Sequence, residues 1–136
     1  MLKLLIVDDE KIIRETMAGL IDWNSLGIQL IGTARDGIEA YNMILDEYPD
    51  IVLTDIKMPG LSGLELIQKI HGINKDTHFI ILSGYGEFEY AKKAMQYGVK
   101  HYLLKPCNEE QIIESLQDVI KDYTNYLATR DRKSVV

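Results

Sequence analysis

Residues 50–60 read DIVLTDIKMPG. The run from Ile51 to Thr54 is apolar or β-branched without alternation, ends on the acid Asp55, and leaves through Lys57, Met58, Pro59 and Gly60. An unbroken run of this kind, closed by Pro and Gly, is what a strand looks like when helices cover both faces of a parallel sheet. A carboxylate at its end has a purpose if the sheet works at the carboxyl ends of its strands.

Four more bursts rich in Ile, Val and Leu surround this one: LKLLIV (2–7), IQLIGTA (28–34), HFIILS (78–83) and KHYLL (100–104), beside DIVLT (50–54). Between them the apolar residues take helical spacing, as at Ile38, Tyr41, Ile44 and Leu45, at Leu64, Ile67 and Ile70, and at Ile112, Ile113, Leu116, Val119 and Ile120. Five strands alternating with five helices predict an α/β fold, an open doubly wound sheet with right-handed crossovers. Turn signals at RDG (35–37), YPD (48–50), PGLSG (59–63), HGINKD (71–76) and QYG (96–98) fit the joints. The connection IDWNSLGI (21–28) is longer than the usual αβ loop, and its Trp23 is expected to serve as a packing lid. The segment 122–136 is expected to continue helical and then become polar and mobile.

A chain of 136 residues, 46% hydrophobic and 26% charged, matches one globular domain with a core of its own. Its net charge of −6, with no Lys/Arg run in its body, argues against direct contact with nucleic-acid phosphates. A single cysteine, Cys107, excludes an internal disulfide, and the N-terminal apolar run is too short for a signal peptide or membrane span. The expected location is the cytoplasm.

Ligands of open α/β sheets gather beyond the carboxyl ends of the strands. Those ends carry Asp8, Asp9 and Glu10, then Asp55, Ser83-Gly84, and Lys105-Pro106. Two unit charges ~4 Å apart repel by about 4 kcal/mol at an effective dielectric of 20, so converging carboxylates need compensation. A hard divalent cation with oxygen ligands would supply it, and Lys105 adds a charge suited to a phosphoryl oxygen. Singly, each residue has a mundane role as helix cap, turn residue or solvated charge. Four strand ends bearing mutually compensating groups are explained only by the metal and phosphoryl reading.

The blocks VDDE (7–10), DIVLTDIKMPGLSGLEL (50–66), ILSGYGE (81–87) and YLLKP (102–106) resemble the receiver domain of two-component response regulators over residues 2 to about 122. IDWNSLGI and LSGYGEFEYAKKAMQYGV (82–99) resemble receivers with an AraC-type DNA-binding output. The resemblance implies a flavodoxin-like (βα)5 three-layer sandwich with strand order 2-1-3-4-5. It implies a receiver over residues 1–124 and, over 125–136, a helix end and linker toward an output domain outside this chain, through which alone DNA would be bound.

It further implies that Asp55 accepts a phosphoryl group from a sensor histidine kinase, with Mg²⁺ or Mn²⁺ held by Asp8, Asp9, Asp55 and the backbone carbonyl of Lys57. Ser83 and Lys105 would receive the phosphoryl oxygens, Tyr102 would be the aromatic that follows Ser83, and Lys105-Pro106 would be cis. Lys57 and Tyr85 are candidates for setting the lifetime of the acyl phosphate. The fourth helix, fifth strand and fifth helix, with Lys92, Lys93, Tyr97, Lys100 and Tyr102, would be the switching and dimer surface. His71, His78 and His101 lack ligand spacing and are expected to be structural or exposed. Such a domain is a signalling module, not an enzyme, catalysing only its own phosphorylation and dephosphorylation. The alternative, a Mg²⁺-dependent phosphohydrolase with an Asp nucleophile, wants a second acid where Lys57 stands and a cap domain to enclose its substrate.

Overall fold

The computed structural model describes residues 1–135, with side chains described through residue 129. Five parallel strands, β1 (Leu2–Val7), β2 (Ile28–Ala34), β3 (Ile51–Asp55), β4 (His78–Ser83) and β5 (His101–Leu104), form one sheet in the order β2-β1-β3-β4-β5. The helices between them are α1 (Lys11–Leu20), α2 (Gly37–Glu47), α3 (Gly63–His71) and α4 (Phe88–Met95), and α5 (Glu109–Val135) closes the fold. This is the doubly wound, flavodoxin-like order expected. The difference at β3 is small and informative: the strand takes in Asp55, which pairs across to Leu82.

The pleat divides the apolar residues between two cores. Leu5, Val7, Val52 and Ile81 face α2, α3 and α4 through Ala40, Ile44, Leu66, Ile67, Ile70 and Ala94. On the other face Leu4, Ile6, Leu53 and Ile80 meet Met17 of α1 and Ile112, Leu116 and Val119 of α5. β3 lies in the middle with all five residues buried. That burial on both faces is the reason its sequence does not alternate.

The 21–28 connection folds around Trp23, which is buried and donates its indole N–H to the Ala18 carbonyl at 3.0 Å. A 3₁₀ turn, Asn24–Leu26, follows, and the Trp23 carbonyl accepts the N–H groups of Leu26 and Ile28. Trp23 is thus the packing lid expected. α5 continues as one helix through Val135, so residues 125–135 lie within it; residue 136, the end of the expected linker, is outside the described residues. The helix is tied to the amino end of the sheet: the Tyr123 hydroxyl donates to Asp50 at 2.7 Å and the Tyr126 hydroxyl to Asp76 at 2.6 Å.

The histidines have structural partners. His71 packs edge-on to Tyr97, His78 packs against Tyr123 and Tyr126, and His101 Nε2 lies 2.7 Å from the Asp122 carboxylate. Among the described residues no helix is long and apolar enough to cross a membrane.

Candidate functional site

The carboxyl ends of β1, β3, β4 and β5 bring their polar residues to one edge because parallel strands all finish there. Asp8, one residue past β1, is fully buried. Its Oδ1 accepts the Glu10 N–H at 2.9 Å, and its carbonyl accepts from the Arg14 guanidinium at 2.8 Å. Asp55, at the end of β3, is 5% exposed. Its backbone is fixed from both sides: the Thr54 hydroxyl donates to the Asp55 carbonyl at 2.9 Å, and the Ile56 N–H donates to Leu82 at 3.0 Å.

Lys105 follows β5, its N–H donating to the Ser83 carbonyl at 2.8 Å, with the Lys105–Pro106 peptide cis as expected. Its ammonium is shared, lying 2.8 Å from Asp8 Oδ2 and 3.2 Å from Asp55 Oδ2. One cation therefore serves two buried acids. Burial pushes the Asp55 carboxyl up; Lys105 opposes that, the charge of Asp8 adds to it, and the pKa rises from 3.8 to about 6. Burial alone would lower the Lys105 ammonium, but its hydrogen bond to Asp8 and the charge of Asp55 outweigh this and hold it above its ordinary value. The site is short of positive charge.

That shortage bears on stability. An acid whose pKa is raised by folding stabilises the native state while protonated, and this contribution is lost as pH climbs from 3.8 through about 6. Asp55→Asn should therefore make the metal-free protein more stable near neutral pH, by on the order of 1–3 kcal/mol, with the gap closing near pH 4. Urea unfolding at the two pH values measures it; a gap that widens on acidification would contradict the assignment.

Asp8, Asp9 and Glu10 bring one carboxylate oxygen each within 4.8 Å of one another, Asp8 buried and the other two exposed. Hard oxygen donors of this kind, beside a charge-deficient pair of acids, suit a small divalent cation that keeps several waters. Of the other expected site residues, Ser83 is buried at the end of β4, next to the Leu82 that pairs with Asp55. Tyr102 on β5 is 39% exposed and Tyr85 fully exposed. Lys57 is exposed, with its ammonium 5.8 Å from the centre of the Tyr90 ring on α4.

Three contributors escape the sequence reading: Arg14, Glu87 and Gly63. Arg14 steadies the Asp8 backbone, and Glu87 accepts the Gly84 N–H at 2.9 Å. Gly63 stands out in the sequence only as part of a turn signal. The Ser62–Glu65 pair, a reciprocal capping box at the start of α3, is the available sign that a helix begins at Gly63.

Residues 4–117 match the family model described as the response regulator receiver domain. The chain is 60% identical over 122 residues to the transcriptional regulatory protein YesN of Bacillus subtilis, covering 90% of this chain and 33% of that protein. It is 43% identical over 112 residues to the transcriptional regulatory protein HptR of Staphylococcus aureus, covering 82% of this chain and 44% of that one. The chain thus spans a third to under half of these relatives. Among solved structures it resembles the REC domain of AraT, a response regulator from Geobacillus stearothermophilus, with TM-score 0.81 and 35% identity over 96% of this chain and 98% of that one. It also resembles a two-component transcriptional regulator AraC from Clostridium phytofermentans, with TM-score 0.88 and 35% identity over 94% and 99%.

Proposed function

The chain belongs to the response regulator receiver domain family, and from that premise we propose that Asp55 is its phosphoacceptor, charged by a sensor histidine kinase in the cytoplasm. The observation that carries this reading is the nearly buried Asp55 carboxylate sharing the Lys105 ammonium with Asp8. Asp8, Asp9 and Asp55, with the Lys57 carbonyl, would hold Mg²⁺ or Mn²⁺, which when bound neutralises charge on phosphoryl oxygens.

A carboxylate oxygen of Asp55 attacks the phosphorus, the bond from phosphorus to the donor breaks, and the donor departs with the electron pair. Rigid placement of Asp55 by β3 supplies orientation, and Lys105 supplies a cation that turns from the acids toward the phosphoryl oxygens. The added charge draws in the Ser83 hydroxyl, and Tyr102, on the neighbouring strand, responds to the space this changes. The α4-β5-α5 surface, with Lys92, Lys93, Tyr97, Lys100 and Tyr102, then carries the signal to a second copy of the chain and to an attached output. By likeness to the transcriptional regulators above, that output controls transcription. Lys57 and Tyr85 stand two residues beyond Asp55 and Ser83, where they regulate water's access to the acyl phosphate. The domain transforms no other substrate.

Incubation with a small phosphodonor and Mg²⁺ should add one phosphoryl group by intact mass, and Asp55→Ala should abolish it. No adduct with any donor would sink the phosphoacceptor reading, and multiple turnover of a phosphate ester would favour the hydrolase alternative. Sedimentation of the modified protein as an unchanged monomer would remove the dimer from the proposal.

A further inference from the structure

Glu87 occupies the N-cap position of α4, yet its side chain makes no hydrogen bond to that helix. Short N-cap side chains such as Asp, Asn, Ser and Thr ordinarily accept from first-turn amides, and the Glu87 carboxylate does not take that place. Instead its Oε2 accepts the Gly84 N–H at 2.9 Å, while the Glu87 N–H donates to the Gly84 carbonyl at 3.2 Å. The carboxylate lies so close that a Cβ placed on Gly84 would stand 3.4 Å from Oε1. Gly86, at φ +88, permits the tight turn between the two. Gly84 directly follows Ser83, whose own carbonyl is bound by the Lys105 N–H.

We propose that Glu87 is a latch: its carboxylate holds the Gly84 N–H in the unphosphorylated arrangement and releases it when Asp55 is phosphorylated. The proposal rests on the phosphoacceptor reading of Asp55. Because Asp55 pairs with Leu82, a group built on its carboxylate extends past the sheet edge where residues 83 and 84 continue β4. A phosphoryl oxygen within hydrogen-bond reach of the Gly84 N–H would stand at most ~6 Å from the Glu87 carboxylate, the sum of two bond lengths of about 2.9 Å. Like charges that close, in a partly buried site, do not coexist without loss.

The displaced carboxylate has a destination. The first turn of α4, at the positive end of the helix, has no side-chain cap; the Tyr90 N–H is held by the Glu87 carbonyl at 3.1 Å, which leaves the Phe88 and Glu89 N–H groups as the alternative donors. One carboxylate with two alternative sets of donors, separated by a short glycine-containing turn, is a two-state element. Phosphoryl charge biases it toward the second state. Glu87 is thus a positioning residue, acting on Asp55 through the Ser83–Gly84 loop.

Beryllofluoride with Mg²⁺, titrated into the full chain, tests the latch. Glu87→Gln keeps an acceptor and removes the charge, and Glu87→Ala removes both. Each should bind about 5- to 10-fold more tightly than the native chain. The advantage over the native protein should shrink with added salt, because only the native carboxylate repels the anion. A purely structural role would lower thermal stability without this salt-dependent difference in affinity. Native binding with both variants within about twofold of it would overturn the latch alone. No binding by the native chain, together with no phosphoryl adduct, would fall on the phosphoacceptor reading instead. Should Glu87→Ala fail to fold, Glu87→Gln carries the same comparison.

Discussion

Gly63→Ala is expected to cost the fold about 3–5 kcal/mol, a severe loss for a single methyl group. The added Cβ would stand 2.1 Å from the Asp55 carbonyl oxygen and 2.8 Å from the Ile56 Cα. Both neighbours are backbone, so no side chain can swing aside. The Gly63 N–H also donates to the Ile56 carbonyl at 2.9 Å, which pins the start of α3 to the end of β3. Relief therefore requires α3 to withdraw or Asp55 to move. Urea unfolding should show the loss, and phosphorylation of whatever folds should slow. Gly19 is the internal control: it lies in α1, where an added methyl group would meet nothing within 4 Å, and its replacement by Ala should stabilise by up to about 1 kcal/mol. Equal effects at the two positions would refute the steric account.

Lys105→Met should destabilise the metal-free protein near pH 8 by about 2–4 kcal/mol, somewhat less than the ~3–5 kcal/mol for breaking a fully buried pair because the ammonium is partly exposed. With the cation gone, Asp8 and Asp55 face each other without compensation, and the Asp55 pKa moves further above its present value of about 6. The sign follows. Ionised Asp55 is the costly form, so the deficit should be largest above the raised pKa and shrink as acid protonates it. Mg²⁺ should recover part of the loss by replacing the missing charge. A deficit independent of both pH and Mg²⁺ would mean that Lys105 acts only through packing.

Much of this was legible in the residues. Unalternating runs such as Ile51–Thr54 mark buried parallel strands, and the topology of such sheets leads from the strand ends to Asp8, Asp55, Ser83 and Lys105 as neighbours. Less accessible were relations that depend on distances between segments remote in sequence. The division of one ammonium between Asp8 and Asp55 is set by the reach of a flexible side chain across 97 positions. Glu87 would be assigned to the α4 cap by position alone, whereas competition between two sets of amides sends it to Gly84. Gly63 resembles turn chemistry, because a missing Cβ does not announce which backbone it admits. The partner of Lys57, expected to flank Asp55, was likewise not readable from spacing: its ammonium lies 5.8 Å from the centre of the Tyr90 ring on α4.

The ties at the amino end of the sheet bear on how this protein could be recombined with others. Tyr123 and Tyr126 reach back to Asp50 and Asp76, at the feet of β3 and β4. A chimera that joins a foreign effector before Tyr126 would discard a buttress of the host sheet and shorten α5 by about three turns. Splicing beyond it keeps both anchors, and each residue inserted there turns the graft by about 100° and advances it ~1.5 Å. Helical phase, rather than tether length, then becomes the variable a sensor designer would tune.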